Sequence, residues 1–277
     1  RSNTYTITIG TTPNATDASN SPMGGTVSAA YQINTGPAFA VPVSGWGTGT
    51  WGSGTWGVGT TNYDPLRLWS QINFGEDLIF GPRGGGMYYW DATSGITSRG
   101  VNLNTLGGAS DVPTIQNYIY VSDVSRFVFA FGCNAYLETT FDPMLIRWSD
   151  QESVTEWAPA ATNQAGSIKL SHGSEIITAI QARQEVLVWT DAALYSLQYL
   201  GGQEGWGAQL VGENTSIVSQ NCVAYANGIA YWMGADKFYV YSGRTETLIC
   251  DLRQYVFGDI NHDQMSQVFA GTNEGFN

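Results

Sequence analysis

One hairpin pattern indicates the fold of this chain: Glu185-Val-Leu-Val-Trp189, the turn Thr190-Asp191, and Ala193-Leu-Tyr-Ser-Leu-Gln-Tyr199. Short runs of β-branched and aromatic residues that are bounded by Asp or Gly are typical of antiparallel strands joined by tight turns. The stretch therefore predicts two paired strands. The same order of strand, turn and strand recurs along much of the sequence.

Three further segments show this order. They are Asp77–Phe80 with Met87–Trp90, Arg126–Phe131 with Met144–Trp148, and Gly228–Met233 with Lys237–Tyr241. The leading strands begin roughly 45 to 60 residues apart, within or just above the range of propeller blades. Because one small antiparallel sheet cannot cover both of its faces, such units pack side by side around an axis. We therefore predict an all-β fold, with a β-propeller-like array of antiparallel hairpin sheets over residues 63–277.

The C-terminal end of this array departs from the pattern. Asp251 is predicted to cap a short helix over Leu252–Phe257, with Gly258 ending it. The following run, Val268–Phe276, predicts one strand with no partner after it. We therefore expect the last unit to be incomplete within these residues, so that another segment or chain completes it.

The N-terminal residues 1–62 predict two strands and then a Gly-rich loop. In that loop Trp46, Trp51 and Trp56 recur every five residues between Gly, Thr and Ser. This period matches neither a helix nor a strand. Three indoles left in water would form an exposed apolar patch, so we expect them to act as anchors. They pack on their own domain, contact a neighbouring subunit or stack on carbohydrate, and we treat them as candidate subunit-interface residues.

The charge content restricts the classes of partner. Only 12% of residues are charged, and the net charge is −12. Soluble domains usually have about twice that charged share, so either Ser, Thr, Asn and Gln cover the surface or neighbouring subunits do, and we expect the latter. Negative charge disfavours groove binding of nucleic acid, which needs Lys and Arg. It is compatible with a wall along which DNA slides without sticking. No apolar run approaches the roughly 18 residues of a membrane span.

Residues suited to catalysis are sparse. Cys133, Cys222 and Cys250 lack the spacing of a disulfide framework or a zinc site. His172 and His262 are too few for a His-rich metal site. A glycosidase would need two carboxyl groups facing each other across a sugar. The carboxylates considered for that role are Glu76, Asp77, Asp150, Glu152 and Glu156. We predict no catalytic, cofactor-binding or metal-binding residues, and hence no enzymatic activity.

A set of stretches carries a family resemblance. It comprises Gly75–Gly86 followed by Tyr88–Asp91, Ile146–Asp150 through Trp157, Thr162–Ser167, Gln184–Asp191 with Ala193–Tyr199, and Gly228–Gly234 with Phe238–Gly243. Together they resemble the tail hub or nozzle (tail tubular) structural proteins of short-tailed bacteriophages. The resemblance covers about Thr4 to Gly271, and its motifs are structural.

The resemblance implies a propeller-bearing subunit of a homo-hexameric tube in the phage virion. Such a tube would lie below the portal and adaptor proteins, carry tail fibres or spikes, and conduct DNA through its lumen without binding it specifically. The family contributes no catalytic residues and no cofactor. Its members are longer than this chain, which leaves the number of blades open.

Two other functions are compatible with the sequence. One is a carbohydrate-binding propeller that recognises a host receptor, with Trp46, Trp51 or Trp56 stacking on sugars. The other is a glycosidase that uses a pair of carboxylates. We favour the structural function over both.

Overall fold

The structure is a computed structural model that describes residues 67–122, 124–202 and 204–273. These residues form sixteen β-strands and one short α-helix, α1 (Arg253–Asp259). The strands make four antiparallel sheets of four strands, and each sheet uses strands that are consecutive in the sequence. The described part of the chain is therefore all-β and propeller-like, which confirms the predicted fold class. The predicted N-terminal segment, residues 1–62, lies outside these ranges.

The strand bounds show how regular the repeat is. The first sheet contains β1 (Trp69–Phe74), β2 (Asp77–Pro82), β3 (Tyr88–Trp90) and β4 (Val101–Asn102). The second contains β5 (Gln116–Val121), β6 (Val128–Asn134), β7 (Phe141–Trp148) and β8 (Gly166–Lys169). The third contains β9 (Ile176–Gln181), β10 (Val186–Thr190), β11 (Ala193–Gly201) and β12 (Gly205–Glu213). The fourth contains β13 (Val223–Ala226), β14 (Ile229–Met233), β15 (Phe238–Tyr241) and β16 (Thr245–Leu248).

Each predicted hairpin forms the two central strands of a sheet. In the third sheet β10 pairs with β11, which places Trp189 opposite Leu194. A first strand and a fourth strand then complete each sheet. One of the added turns, between β13 and β14, is Asn227-Gly228, and both residues have positive φ, 53° and 85°. Two successive positive φ values suit the tight turn that matches the twist of paired strands.

Aromatic side chains pack neighbouring sheets together. Phe129 of the second sheet meets Trp206 of the third edge to face, with ring centroids 4.9 Å apart. Trp189 of the third sheet meets Trp232 of the fourth in the same manner at 5.3 Å. All four of these side chains are buried. Burial of such large rings is the main favourable contribution to packing the sheets face to face.

The first strands of the four sheets lie on one side of the array, where they contact one another. The Ser70 hydroxyl on β1 accepts a hydrogen bond from the Ile119 amide on β5 at 3.1 Å. Thr178 on β9 donates from its hydroxyl to the carbonyl of Gln220, just before β13, at 2.8 Å. Gln220 in turn donates from Nε2 to the Trp69 carbonyl at 3.2 Å. These bonds connect all four sheets close to a common axis.

The C-terminal segment differs from the sequence prediction. The residue that precedes α1 is Leu252, and no side chain caps the helix. The predicted capping role of Asp251 is therefore wrong, because the helix begins two residues after it. Helix α1 also continues through Gly258 to Asp259. Residues 268–273 belong to none of the described strands, although the Ala270 amide donates to the Asn221 carbonyl at 2.7 Å.

Candidate functional site

Two of the carboxylates considered for catalysis hold the backbone of loops. Asp77 accepts hydrogen bonds from the Tyr89 hydroxyl and, at 3.0 Å, from the Ala92 amide. Asp150 accepts one from the Gln164 amide at 2.8 Å. These contacts give Asp77 and Asp150 a structural role. The remaining candidates have exposed side chains: Glu76, Glu152 and Glu156.

The cysteines and histidines do not converge on a common site. Cys133 and Cys222 are buried and Cys250 is half-buried, and all three are free thiols. His172 is half-buried and His262 is exposed. Within residues 67–122, 124–202 and 204–273, no group of three or more His, Cys, Asp or Glu side chains could hold a metal ion. No helix in those ranges is long and apolar enough to span a bilayer.

The predicted interface residues Trp46, Trp51 and Trp56 lie outside the residues that the structure describes. Their role as subunit anchors stays a prediction.

A small cavity lies beside the first strands of the sheets. It has a volume of about 420 Å³, and Tyr118, Thr178, Gln220 and Phe269 are among its lining residues. The Gln220 Oε1 atom is buried and has no described hydrogen-bond partner. A cavity of this size holds a small molecule or several waters. A DNA duplex is too wide to enter a cavity of this size.

The larger feature is an apolar surface on the fourth sheet. One face of this sheet packs on the third sheet through Trp232 and Tyr239, which stack with ring centroids 5.4 Å apart. A cavity of about 820 Å³ lies at this sheet, and its lining includes Tyr231, Phe238 and Leu248 as well as Trp232 and Tyr239. The two faces differ because side chains alternate along each strand.

Six exposed apolar residues belong to this region of the fourth sheet, α1 and the chain that follows. We call them the fourth-sheet surface: Tyr231, Leu248, Ile249, Leu252, Tyr255 and Phe269. Ile249 is 91% exposed and Phe269 is 80% exposed. Helix α1 is held against the sheet by Phe257, whose ring lies 5.2 Å from that of Phe238. Large exposed apolar side chains grouped on neighbouring elements are typical of interaction surfaces.

The sequence pointed to only part of this surface. The helical period places Leu252, Tyr255 and Val256 on one face of the predicted helix, which suggests a buried stripe. In the structure Leu252 is 64% exposed and Tyr255 is 74% exposed, whereas Val256 packs against the core. Sequence periodicity identifies an apolar face but does not show whether that face meets the same chain.

Comparison with known proteins gives little further information. No family model and no curated protein matches this sequence. Among solved structures, the extracellular domain of a hybrid two-component system protein from B. thetaiotaomicron aligns with a TM-score of 0.44 and 15% identity. That alignment covers 70% of this chain and 24% of the other, so this chain spans about a quarter of that structure.

Two other solved structures align with lower TM-scores. BBS1N, in a complex with ARL6DN, aligns with a TM-score of 0.39 and 9% identity over 66% of this chain and 55% of its own. The computationally designed Ika8 protein aligns with a TM-score of 0.33 and 11% identity over 69% and 63%. These values assign no family to the chain. The description of its fold rests on its own four sheets.

Proposed function

We propose that this chain is a structural subunit of the short tail of a bacteriophage virion. In this role it forms part of the nozzle or hub tube below the portal and adaptor proteins, as a homo-oligomer of six copies. It provides a platform for fibres or spikes and a wall for the DNA channel. The sequence resemblance suggests this role, and two features of the described residues support it.

The fourth-sheet surface carries the proposal. Large apolar side chains exposed on a sheet and on the helix beside it are costly in water and are typical of protein interfaces. Within the chain, the apolar faces of neighbouring sheets cover each other in the same way. We infer that a neighbouring subunit covers the fourth-sheet surface in the assembled tube.

Charge and cavity size support a DNA channel that lies between copies of the chain. The cavity beside the first strands is about 420 Å³, which excludes a duplex. A channel for DNA would therefore lie between several copies and not along the axis of one. The net charge of −12 would repel phosphate and keep the DNA from adhering to the wall.

The experiment measures assembly by mass photometry and negative-stain electron microscopy of the purified chain. Wild type should give rings with sixfold symmetry. The double variant Leu252→Ser/Tyr255→Ser should stay monomeric with an unchanged Tm, because both side chains are exposed. The matched control is Ile96→Ser, which alters a 94% exposed residue in the loop between β3 and β4. Monomeric wild type, or rings in the double variant, would overturn the proposal.

A further inference from the structure

A second cavity, of about 510 Å³, lies between the third and fourth sheets. It opens where three turns meet: those between β9 and β10, between β13 and β14, and between β15 and β16. Side chains from both sheets line it, including Glu185, Gln198, Tyr199 and Tyr241. Unlike the fourth-sheet surface, this cleft is rich in hydrogen-bonding groups.

Glu185 lies at the centre of the polar network in this cleft. Its Oε1 accepts a hydrogen bond from the Tyr241 hydroxyl at 3.1 Å, and its Oε2 accepts one from the Ser196 hydroxyl. Gln198 donates from Nε2 to the Ser196 Oγ at 3.2 Å. The carboxylate is thus held by groups from both sheets. Each of its oxygens has a further lone pair with which to accept from a ligand.

The phenol of Tyr241 stays a donor in this network. Burial, and then the charge of Glu185, raise the pKa of Tyr241 to about 12. At neutral pH the hydroxyl is protonated and donates a hydrogen bond to the carboxylate. This arrangement fixes the orientation of Glu185 before any ligand binds, which reduces the entropy lost on binding.

Tyr199 borders the cleft, but its side chain projects from the face of β11 opposite that of Gln198, because side chains alternate along a strand. Its ring lies 5.4 Å from the ring of Phe127 and 5.4 Å from that of Trp206. Its hydroxyl donates to the Gln164 Oε1 at 2.8 Å. The side chain is nevertheless 38% exposed. The ring therefore packs toward the second sheet, and the polar groups of the cleft, not this ring, define its chemistry.

The charged and polar side chains that line the cleft favour some classes of ligand over others. An anion would be repelled by Glu185 and by the net charge of −12. A cation would find acceptors and aromatic rings in the cleft. The positive charge of Arg183 at the edge of the cleft would repel it. A polyol presents both donors and acceptors, and the cleft offers both, from Glu185, Gln184 and Gln198.

From this geometry we propose that the cleft between the third and fourth sheets binds a short neutral saccharide. Glu185 accepts hydrogen bonds from sugar hydroxyls, and Gln198 contributes an amide. The volume of about 510 Å³ suits a ligand of one or two sugar units. The site is separate from the fourth-sheet surface, so saccharide binding does not require assembly of the tail.

The test uses three neutral disaccharides: maltose, lactose and N,N′-diacetylchitobiose. Saturation-transfer NMR should detect at least one of them bound to the wild-type chain, and a titration should give its Kd. Glu185→Gln and Gln198→Ala should each weaken that Kd, by about tenfold or more for Glu185→Gln, because a hydrogen bond to a charged group is lost. Gln198 is exposed, so its variant is expected to fold even if Glu185→Gln does not.

Two controls make the outcome specific. Tyr136→Ala alters a 43% exposed tyrosine in the loop between β6 and β7 and should leave the Kd unchanged. Choline serves as a cationic probe and should not compete with the sugar. The proposal is overturned if none of the three disaccharides binds, if both cleft variants retain wild-type affinity, or if choline displaces the sugar. If the chain did not form sixfold rings but still bound the sugar, only the proposed function in the phage tail would be refuted.

Discussion

The Arg147 Nη2 atom lies 2.7 Å from the Asp111 Oδ2 atom, although the two residues are 36 positions apart. Arg147 is on β7 and is 1% exposed, whereas the Asp111 side chain is 21% exposed. The same guanidinium donates to the carbonyls of Asn134 and Trp157 at 3.2 and 3.3 Å. A single buried cation thus connects the segment before β5, the end of β6 and the loop between β7 and β8.

Removing the charge of Asp111 should destabilise the chain markedly. Breaking one partner of a buried pair leaves an uncompensated charge, which typically costs about 3–5 kcal/mol. We expect about 2 kcal/mol for Asp111→Asn, because the carboxylate is partly exposed and Asn still accepts a hydrogen bond. Asn also tolerates the positive φ of 49° at this position. Urea unfolding followed by tryptophan fluorescence measures the change.

The matched control for this pair is Lys169, which forms an ion pair with Asp142 but whose side chain is 63% exposed. Lys169→Met should change the free energy of unfolding by less than about 1 kcal/mol. Equal effects of Asp111→Asn and Lys169→Met would show that burial of the Arg147 pair contributes nothing.

Asp191 should make stability depend on acid pH. Burial alone would raise its pKa, but hydrogen bonds from the Ser174 hydroxyl and amide and from the Glu175 amide outweigh burial and lower the pKa below its ordinary 3.8. A lowered carboxylate pKa stabilises the folded state above pH ~4, and this stability is lost as pH falls through the folded-state value.

The corresponding variant is Asp191→Asn. Its Tm, measured by circular dichroism from pH 6 to about pH 2, should start lower than that of wild type and fall less steeply below pH ~4. Ser174→Ala removes one of the donors and should show part of the same effect. Identical slopes for wild type and Asp191→Asn would refute the assignment.

The three thiols should react at very different rates. Burial raises the pKa of Cys133 to about 12 and also raises that of Cys222, and the thiolate is the nucleophile. Cys250 is half-buried and should be the first to react with iodoacetamide at pH 8. Peptide mass spectrometry after brief labelling identifies the modified residue. Modification of Cys133 in folded protein as fast as in urea would contradict this order.

The Gly-rich N-terminal loop provides a further prediction. Replacing Trp51 and Trp56 with Ala should weaken subunit association more than it weakens monomer folding, because we expect these indoles to contact a neighbouring subunit. Mass photometry across a dilution series reports association, and thermal melting of the dilute monomer reports folding. An unchanged oligomer with a lowered Tm would place the indoles in the core of their own domain instead.

Local sequence determined the central hairpins of the four sheets. Runs such as Glu185–Trp189 and Gly228–Met233 are rich in apolar and β-branched residues, and each is followed by a tight turn and a second such run. Pairing across a tight turn needs no distant contact. β10, β11, β14 and β15 appear where these patterns predict them. The repeat itself also indicated how the sheets are arranged, because each sheet needs a neighbour on its open face.

Only the tertiary structure decided which residues meet across sheets and which remain exposed. Glu185 and Tyr241 are 56 positions apart, and their hydrogen bond depends on how the third sheet packs on the fourth. Leu252 and Tyr255 share the apolar helical face of half-buried Val256, yet they are exposed to solvent. Periodicity arises from neighbours along one element, whereas a cleft or an interface arises from the positions of separate elements in space.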